Sequence, residues 1–351
     1  MTTLSKIFLS FILLIGILGG TYFVYDKVNW TYQGPDKQFI ISEGEGFARV
    51  NSNLAKAQLI SSSRVFHYIS KFYNKVDKLQ QGSFTIKEGT SMFQLLDLLT
   101  SPPALISITI PEGKNIFEIA ELLEKKDITK KSLFLDAASD PELIGLTFNK
   151  RSQNVEGYLF PDTYKLSKSM DPKKIIRLMI ENFLSKIEGI DFTLSKLSKE
   201  EIIILSSIVE KETGASFERP IIAGVFFNRL NQGMKLQSDP TTIYGMWEKF
   251  DGNIHKKDLR DDSLYNTYVI KALPVGPICN PGLHALQAVL NPQTHDYLFF
   301  VSKNDGTHIF SKSYRDHDRA VSTWQRTKSN REGRSWRMLK EASNAKPKKV
   351  H

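Results

Sequence analysis

From Ile7 to Tyr25 no residue carries a charge, and most are large and apolar. A helix needs roughly 20 such residues to cross the hydrocarbon of a bilayer. Lys6 precedes the run, Asp26 and Lys27 follow it, and Tyr22 and Tyr25 stand where aromatic side chains favour the interface. The sequence therefore predicts a transmembrane helix over 7–25 behind a cytoplasmic head, 1–6, with the long body on the extracytoplasmic side of the cell membrane. A cleaved signal peptide is the competing reading. It lacks a small-x-small site here, since Leu18-Gly19-Gly20 is followed by bulky Tyr22 and Phe23.

The body exceeds one ordinary core. A chain of 351 residues with 41% hydrophobic and 24% charged residues reads as two globular domains plus appendages. The single cysteine, Cys279, excludes an internal disulfide framework and reads as a small buried hydrophobe. The net charge of +9 does not imply nucleic acid, because most of it lies from Arg326 onward, where nine basic residues face two acidic ones. The rest is close to neutral, with no basic stripe for a duplex. Residues 326–351 read as a solvated, disordered tail.

Three segments in the first half share one pattern: Phe39–Gly44, Phe84–Gly89 and Ile108–Gly113 each run from β-branched and aromatic residues into Glu-Gly. Each reads as a short strand stopped by a glycine that supplies the turn. Behind the second and third, apolar residues recur at helical spacing, with Ser91 and Asn115 placed as caps. Such strand-turn-helix units resemble the LysM-like module that binds N-acetylated glycans. A spacer without any ligand fits them equally. The expected layout is a LysM-like region at 36–146 and a catalytic domain at 147–325, α+β in class. No CxxC pair or HExxH occurs, so no metal or other cofactor is expected, and His308 and His317 beside Asp316 and Asp318 read as a surface loop.

The second half carries the chemistry. Glu156-Gly157-Tyr158-Leu159-Phe160-Pro161 reads as an aromatic turn. Ser198 and Glu201 have the form of a capping box and open a strong apolar helix that runs to Glu210-Lys211-Glu212-Thr213, with Gly214 placed to end it. Leu205, Ile208, Val209 and Glu212 share one face, whereas Glu210 falls beside Ser206 and Ser207. A carboxyl continuing an apolar stripe is desolvated and stays protonated near neutral pH, as a general acid must. That points to Glu212, with Glu210 second. Both glutamates could instead merely pair with Lys211, Lys235 or Arg219.

The motifs around this helix form a series: Ser207-Ile208-Val209-Glu210-Lys211-Glu212-Thr213, Phe226-Phe227-Asn228-Arg229-Leu230, and Met234 through Gly245 with Gln237-Ser238-Asp239-Pro240-Thr241-Thr242. Tyr265-Asn266-Thr267-Tyr268, Leu273-Pro274-Val275-Gly276-Pro277, Asn280-Pro281-Gly282 and Asp305-Gly306-Thr307-His308 follow. In this order they resemble the YceG family of endolytic murein transglycosylases, over nearly the whole chain. The resemblance implies peptidoglycan glycan as substrate, membrane-bound synthases as partners, no cofactor, and an essential glutamate carried onto Glu212. Cys279 and Asp318 depart from the family pattern, the latter where an asparagine is expected after His317.

The implied reaction uses one carboxyl. It protonates the glycosidic oxygen, then takes the proton of the muramyl C6 hydroxyl as a 1,6-anhydro ring closes. Asn228, Gln237, Tyr244, Tyr265 and Asn266 are candidates for holding sugar or supplying dipoles, and Asp239 for stabilising the site or acting as a second carboxylate. A hydrolase pairing Glu212 with Asp239 and a non-catalytic glycan-binding scaffold remain open beside the lyase.

Overall fold

The computed structural model describes residues 14, 18–23 and 25–327, apart from 43, 103, 104, 150, 152 and 169. Among these no helix is long and apolar enough to cross a membrane. The expected span at 7–25 lies mostly outside the described residues, and those of it that are described are helical. Of the basic tail, 328–351 lie outside them as well. Helices and three two-stranded sheets make up the rest, an α+β composition.

The chain divides into two compact units. The first runs to Ser107 and adds Asp127–Thr129 and Lys165–Asp171. Its strands β1 (Lys37–Ile41) and β2 (Gly82–Ile86) are antiparallel, with Phe39 opposite Phe84. Helices α1 (Phe47–Lys56), α2 (Ser63–Phe72) and α3 (Met92–Thr100) pack their apolar faces with these strands around Val50, Leu54, Phe66, Ile86, Leu95 and Leu99. Strand β3 (Leu105–Thr109) follows. The expected punctuation is present: Gly44, Gly89 and Gly113 all take positive φ, between 72° and 81°, which L residues resist. Ser91 and Asn115 each form a full capping box.

The second unit comprises Ile108–Lys126, Lys130–Tyr164 and everything from Pro172. By packing, the third repeat with its helix α4 (Ile116–Lys125) goes with this unit, although the sequence groups it with the other repeats. Helices α5 (Lys131–Ala138) and α6 (Pro141–Ile144) follow, and then β4 (Thr163–Ser167), of which 165–167 belong to the first unit. Helix α7 (Pro172–Lys186) leads to α8 (Lys199–Glu212), which Ser198 and Glu201 open with the expected capping box. Around α8 pack α9 (Arg219–Asn231), α10 (Asp239–Gly245) and α11 (Leu283–Leu290). The hairpin β5 (Phe299–Ser302) and β6 (His308–Ser311) and helix α12 (Tyr314–Val321) complete it.

Helix α8 differs from its expected form in two ways. Every residue from Ile202 to Val209 is buried, so it is a central helix without one apolar stripe. The serines beside Glu210 are buried too, their hydroxyls returning to helix carbonyls, Ser206 to Ile202 and Ser207 to Ile204, both at 2.7 Å. The helix also ends at Glu212 because Thr213 is extended, at φ −141° and ψ 139°, and not through a left-handed Gly214.

Candidate active site

The two carboxyls at the end of α8 have different partners. Glu210 is 5% exposed and pairs with Arg219, 9% exposed, at 2.8 Å. Its other oxygen accepts the amide of Gly282 at 3.1 Å. Burial raises its pKa, while Arg219 opposes that rise and Glu112, 3.7 Å from the same guanidinium, adds to it. A carboxyl matched in this way has its charge balanced by a fixed neighbour. Face polarity therefore does not separate the two glutamates; the partner does.

Glu212 is half-buried and receives a hydrogen bond from Ser238 Oγ at 2.5 Å. Its pKa is pushed up to about 7, chiefly by burial, with the charge of Asp239 adding and the Ser238 hydrogen bond and Arg229 opposing. Near neutral pH the protonated and ionised forms are thus comparably populated, a balance suited to giving and retaking one proton.

Ser238 escapes the sequence reading, although its place just before Asp239-Pro240 spells a helix N-cap. Its hydroxyl caps nothing in α10 and turns to Glu212 instead. The backbone that aims it is locked by a threonine pair. Thr267 Oγ1 accepts the Ser238 amide at 2.9 Å and lies 2.8 Å from Thr241 Oγ1, which donates to the Ser238 carbonyl at 2.6 Å. Gln237, immediately before, is exposed and left-handed at φ 51°, its backbone amide donating to the Thr267 carbonyl. Arg229 is buried too: Nε donates to the Leu298 carbonyl at 2.7 Å, Nη1 to that of Leu236 at 2.6 Å, and the guanidinium lies over the Phe299 ring. It brings a fixed positive charge near Glu212 from within α9.

The remaining candidates divide by what their side chains touch. Asp239 is exposed and accepts the Tyr268 hydroxyl at 2.7 Å, which places it beside Glu212 as a neighbouring negative charge. Asn228 spends its amide on the carbonyls of His295 and Tyr297, at 2.7 and 3.0 Å. Asn266 is buried, donates to the carbonyls of Asp258 and Asp261, and accepts from Thr242 and the Tyr268 amide. Both asparagines brace backbone. Tyr244 is buried at the end of α10 and packs edge-on against Tyr265, ring centres 4.8 Å apart.

Glu156 is another carboxyl of the second unit, fully buried. Glu156 accepts the Ile116 amide at 2.9 Å and the Asn280 amide group at 2.8 Å, and burial raises its pKa to about 8. Asn280 Oδ1 in turn accepts the amides of Gly157 and Leu159, and its Nδ2 also donates to the Lys114 carbonyl. The aromatic turn and the Asn-Pro-Gly motif are thus one joint. Cys279 beside it is buried, as expected. His308 corrects the expectation of a surface loop: it lies on strand β6 with its side chain only 10% exposed, and Nδ1 stands 2.7 Å from Glu218, a carboxyl that also accepts from Thr213 just past Glu212. His317 stacks on Phe299. Among the described residues no group of three or more His, Cys, Asp or Glu is placed to hold a metal ion.

The profile of the YceG-like family matches residues 39–323. A Bacillus subtilis (strain 168) protein named endolytic murein transglycosylase is 30% identical, over 83% of this chain and 85% of its own. A Streptococcus pneumoniae serotype 2 (strain D39) protein of the same name is 29% identical, over 92% of this chain and 66% of its own. The crystal structure of a yceG-like protein from Listeria monocytogenes matches with a TM-score of 0.56 and 30% identity, over 81% of this chain and 99% of that one.

Proposed function

The chain belongs to the YceG-like family, and from that premise we propose that it is a lytic transglycosylase of peptidoglycan whose acid and base are both Glu212. The observation that carries the assignment is the unequal pairing at the end of α8: Glu210 faces a guanidinium, Glu212 a neutral hydroxyl. Protonated Glu212 gives its proton to the oxygen of the bond between N-acetylmuramic acid and N-acetylglucosamine as the C1–O bond breaks. The carboxylate left behind is stabilised by Ser238 and by the charge of Arg229. It then takes the proton of the muramyl C6 hydroxyl while that oxygen bonds to C1. No water enters the product, and no cofactor is required.

Asp239 lies on the solvent side, held by Tyr268, where its charge favours an oxocarbenium-like transition state. Tyr265, braced by the buried Tyr244, offers ring surface to sugar, and Gln237 an exposed amide. The braced Asn228 and Asn266 serve the same site by positioning its walls.

The uncharged run 7–25 supports anchoring in the cell membrane with the body outside. A cutter tethered there meets glycan as membrane-bound synthases release it, and so sets strand length. The repeats at 36–146 are read as a LysM-like region between anchor and site, and 147–325 as the catalytic domain, with the basic end from 326 as a solvated tail.

The test is digestion of purified glycan strands by the full-length protein, with the new ends resolved by mass spectrometry. The lyase yields 1,6-anhydro ends, lighter by one water than reducing ends. Glu212→Gln abolishes cleavage with the fold intact. Reducing ends would instead establish a hydrolase using Glu212 with Asp239, and undiminished function in Glu212→Gln a scaffold.

A further inference from the structure

Four aromatic rings of the second unit form a continuous row. Trp247 stacks on Phe117, ring centres 5.7 Å apart and planes within 12°. Phe117 meets Tyr244 at 6.0 Å, and Tyr244 meets Tyr265 at 4.8 Å. They come from three separate segments: the first turn of α4, the end of α10 with the turn after it, and the stretch of chain leading to Asn266. Tyr244 is buried as the keystone, while Trp247, Phe117 and Tyr265 are half-buried and keep surface toward solvent.

The row is built. A Cβ on Gly245 would stand 2.4 Å from Ser263 Oγ and 3.3 Å from Tyr265 Cβ, so only glycine there lets the 263–265 segment close on α10 and bring Tyr265 to Tyr244. It is also continuous with the site. Helix α10 starts at the Ser238 that touches Glu212 and ends at the keystone tyrosine, and seven residues at 1.5 Å each span about 10 Å. The Tyr265-to-Tyr268 segment ties the two ends together, since Tyr268 holds Asp239 and Thr267 holds Ser238.

We propose that Trp247, Phe117 and Tyr265 form a saccharide subsite that holds the glycan strand beyond the scissile bond. The proposal rests on Glu212 being the acid. A pyranose ring has one face of C–H groups and a rim of hydroxyls, and half-buried rings of this kind receive the former while leaving the latter in water. The exposed Glu248 and Lys249 beside Trp247 give the row the polar rim such a ligand needs. Purchase on sugars remote from the cut suits an enzyme that cuts within strands, because it adds affinity for a long strand equally before and during the reaction.

The test compares Trp247→Ala and Trp247→Phe in the full-length protein, folding being checked by circular dichroism and melting. With peptide-free glycan oligosaccharides, Trp247→Ala raises KM about tenfold and leaves kcat nearly unchanged, the mark of lost uniform binding, while Trp247→Phe restores most of the affinity. In a Glu212→Gln background, calorimetric Kd for the same oligosaccharides weakens by the same factor. Unchanged KM and Kd in a folded Trp247→Ala protein overturn the subsite and leave the acid assignment intact. A loss seen only with strands that carry stem peptides also overturns it, assigning the row to peptide. If Glu212→Gln still cleaves, the acid assignment falls while the Trp247 comparison continues to report on the subsite.

Discussion

Replacing Ser238 by alanine removes the hydrogen bond on Glu212 and nothing else that α10 uses, because this hydroxyl caps no amide of the helix. The bond favours the ionised carboxyl, so its loss raises the pKa. A hydrogen bond to a charged group contributes about 1.5–3 kcal/mol, and each pH unit corresponds to about 1.4 kcal/mol. With water replacing part of the bond at a half-buried site, the Glu212 pKa is expected to rise from about 7 to about 8. An enzyme needing protonated Glu212 keeps kcat/KM level on the acid side and loses about tenfold per pH unit above the pKa. The alkaline limb of that profile, measured by release of anhydro-ended fragments, should therefore move upward in Ser238→Ala. The neighbouring Asp239→Asn moves it the other way, since removing a negative charge eases ionisation of Glu212. Two adjacent substitutions shifting one limb in opposite directions, whatever each does to the maximal rate, identify the group being titrated. A limb that stays at its wild-type position in both variants refutes the role of Glu212 as the titrating acid.

Glu210→Gln should retain cleavage per folded molecule yet lose about 3 kcal/mol of stability, the low end for breaking a buried ion pair, because Arg219 keeps Glu112 nearby; denaturant melts beside activity assays separate the two effects. Asn280→Ala leaves the buried amides of Gly157 and Leu159 without an acceptor and should cost about 3 kcal/mol, read from the shift in urea midpoint.

What can be read from the chain is whatever local chemistry dictates. The three Glu-Gly turns, the caps at Ser91, Asn115 and Ser198, and the helix carrying the two carboxyls all follow from neighbours within a few residues. The preference for Glu212 on periodicity rests on a stripe that does not exist, because α8 is enclosed on all sides and a serine can enter a core by bonding its own helix. Choosing between Glu210 and Glu212 requires knowing that Arg219 folds back on one and Ser238 reaches the other across 26 positions, which no periodicity encodes. His308 misleads for the same reason: its partner, Glu218, lies 90 residues earlier. Asn228 and Asn266 draw notice as polar groups amid motifs, and both are occupied by backbone carbonyls of other turns.

The Asn280 joint bears on the order in which the protein matures. Its side chain reaches back 123 positions to Gly157 and 166 to Lys114, so this joint cannot close while residue 280 is still within the ribosome. Long-range closures of this kind are slow, since the intervening chain must give up its freedom before the contact forms. An emerging chain therefore carries Glu212 long before the parts of this joint can meet, and a product truncated ahead of Asn280 never assembles it.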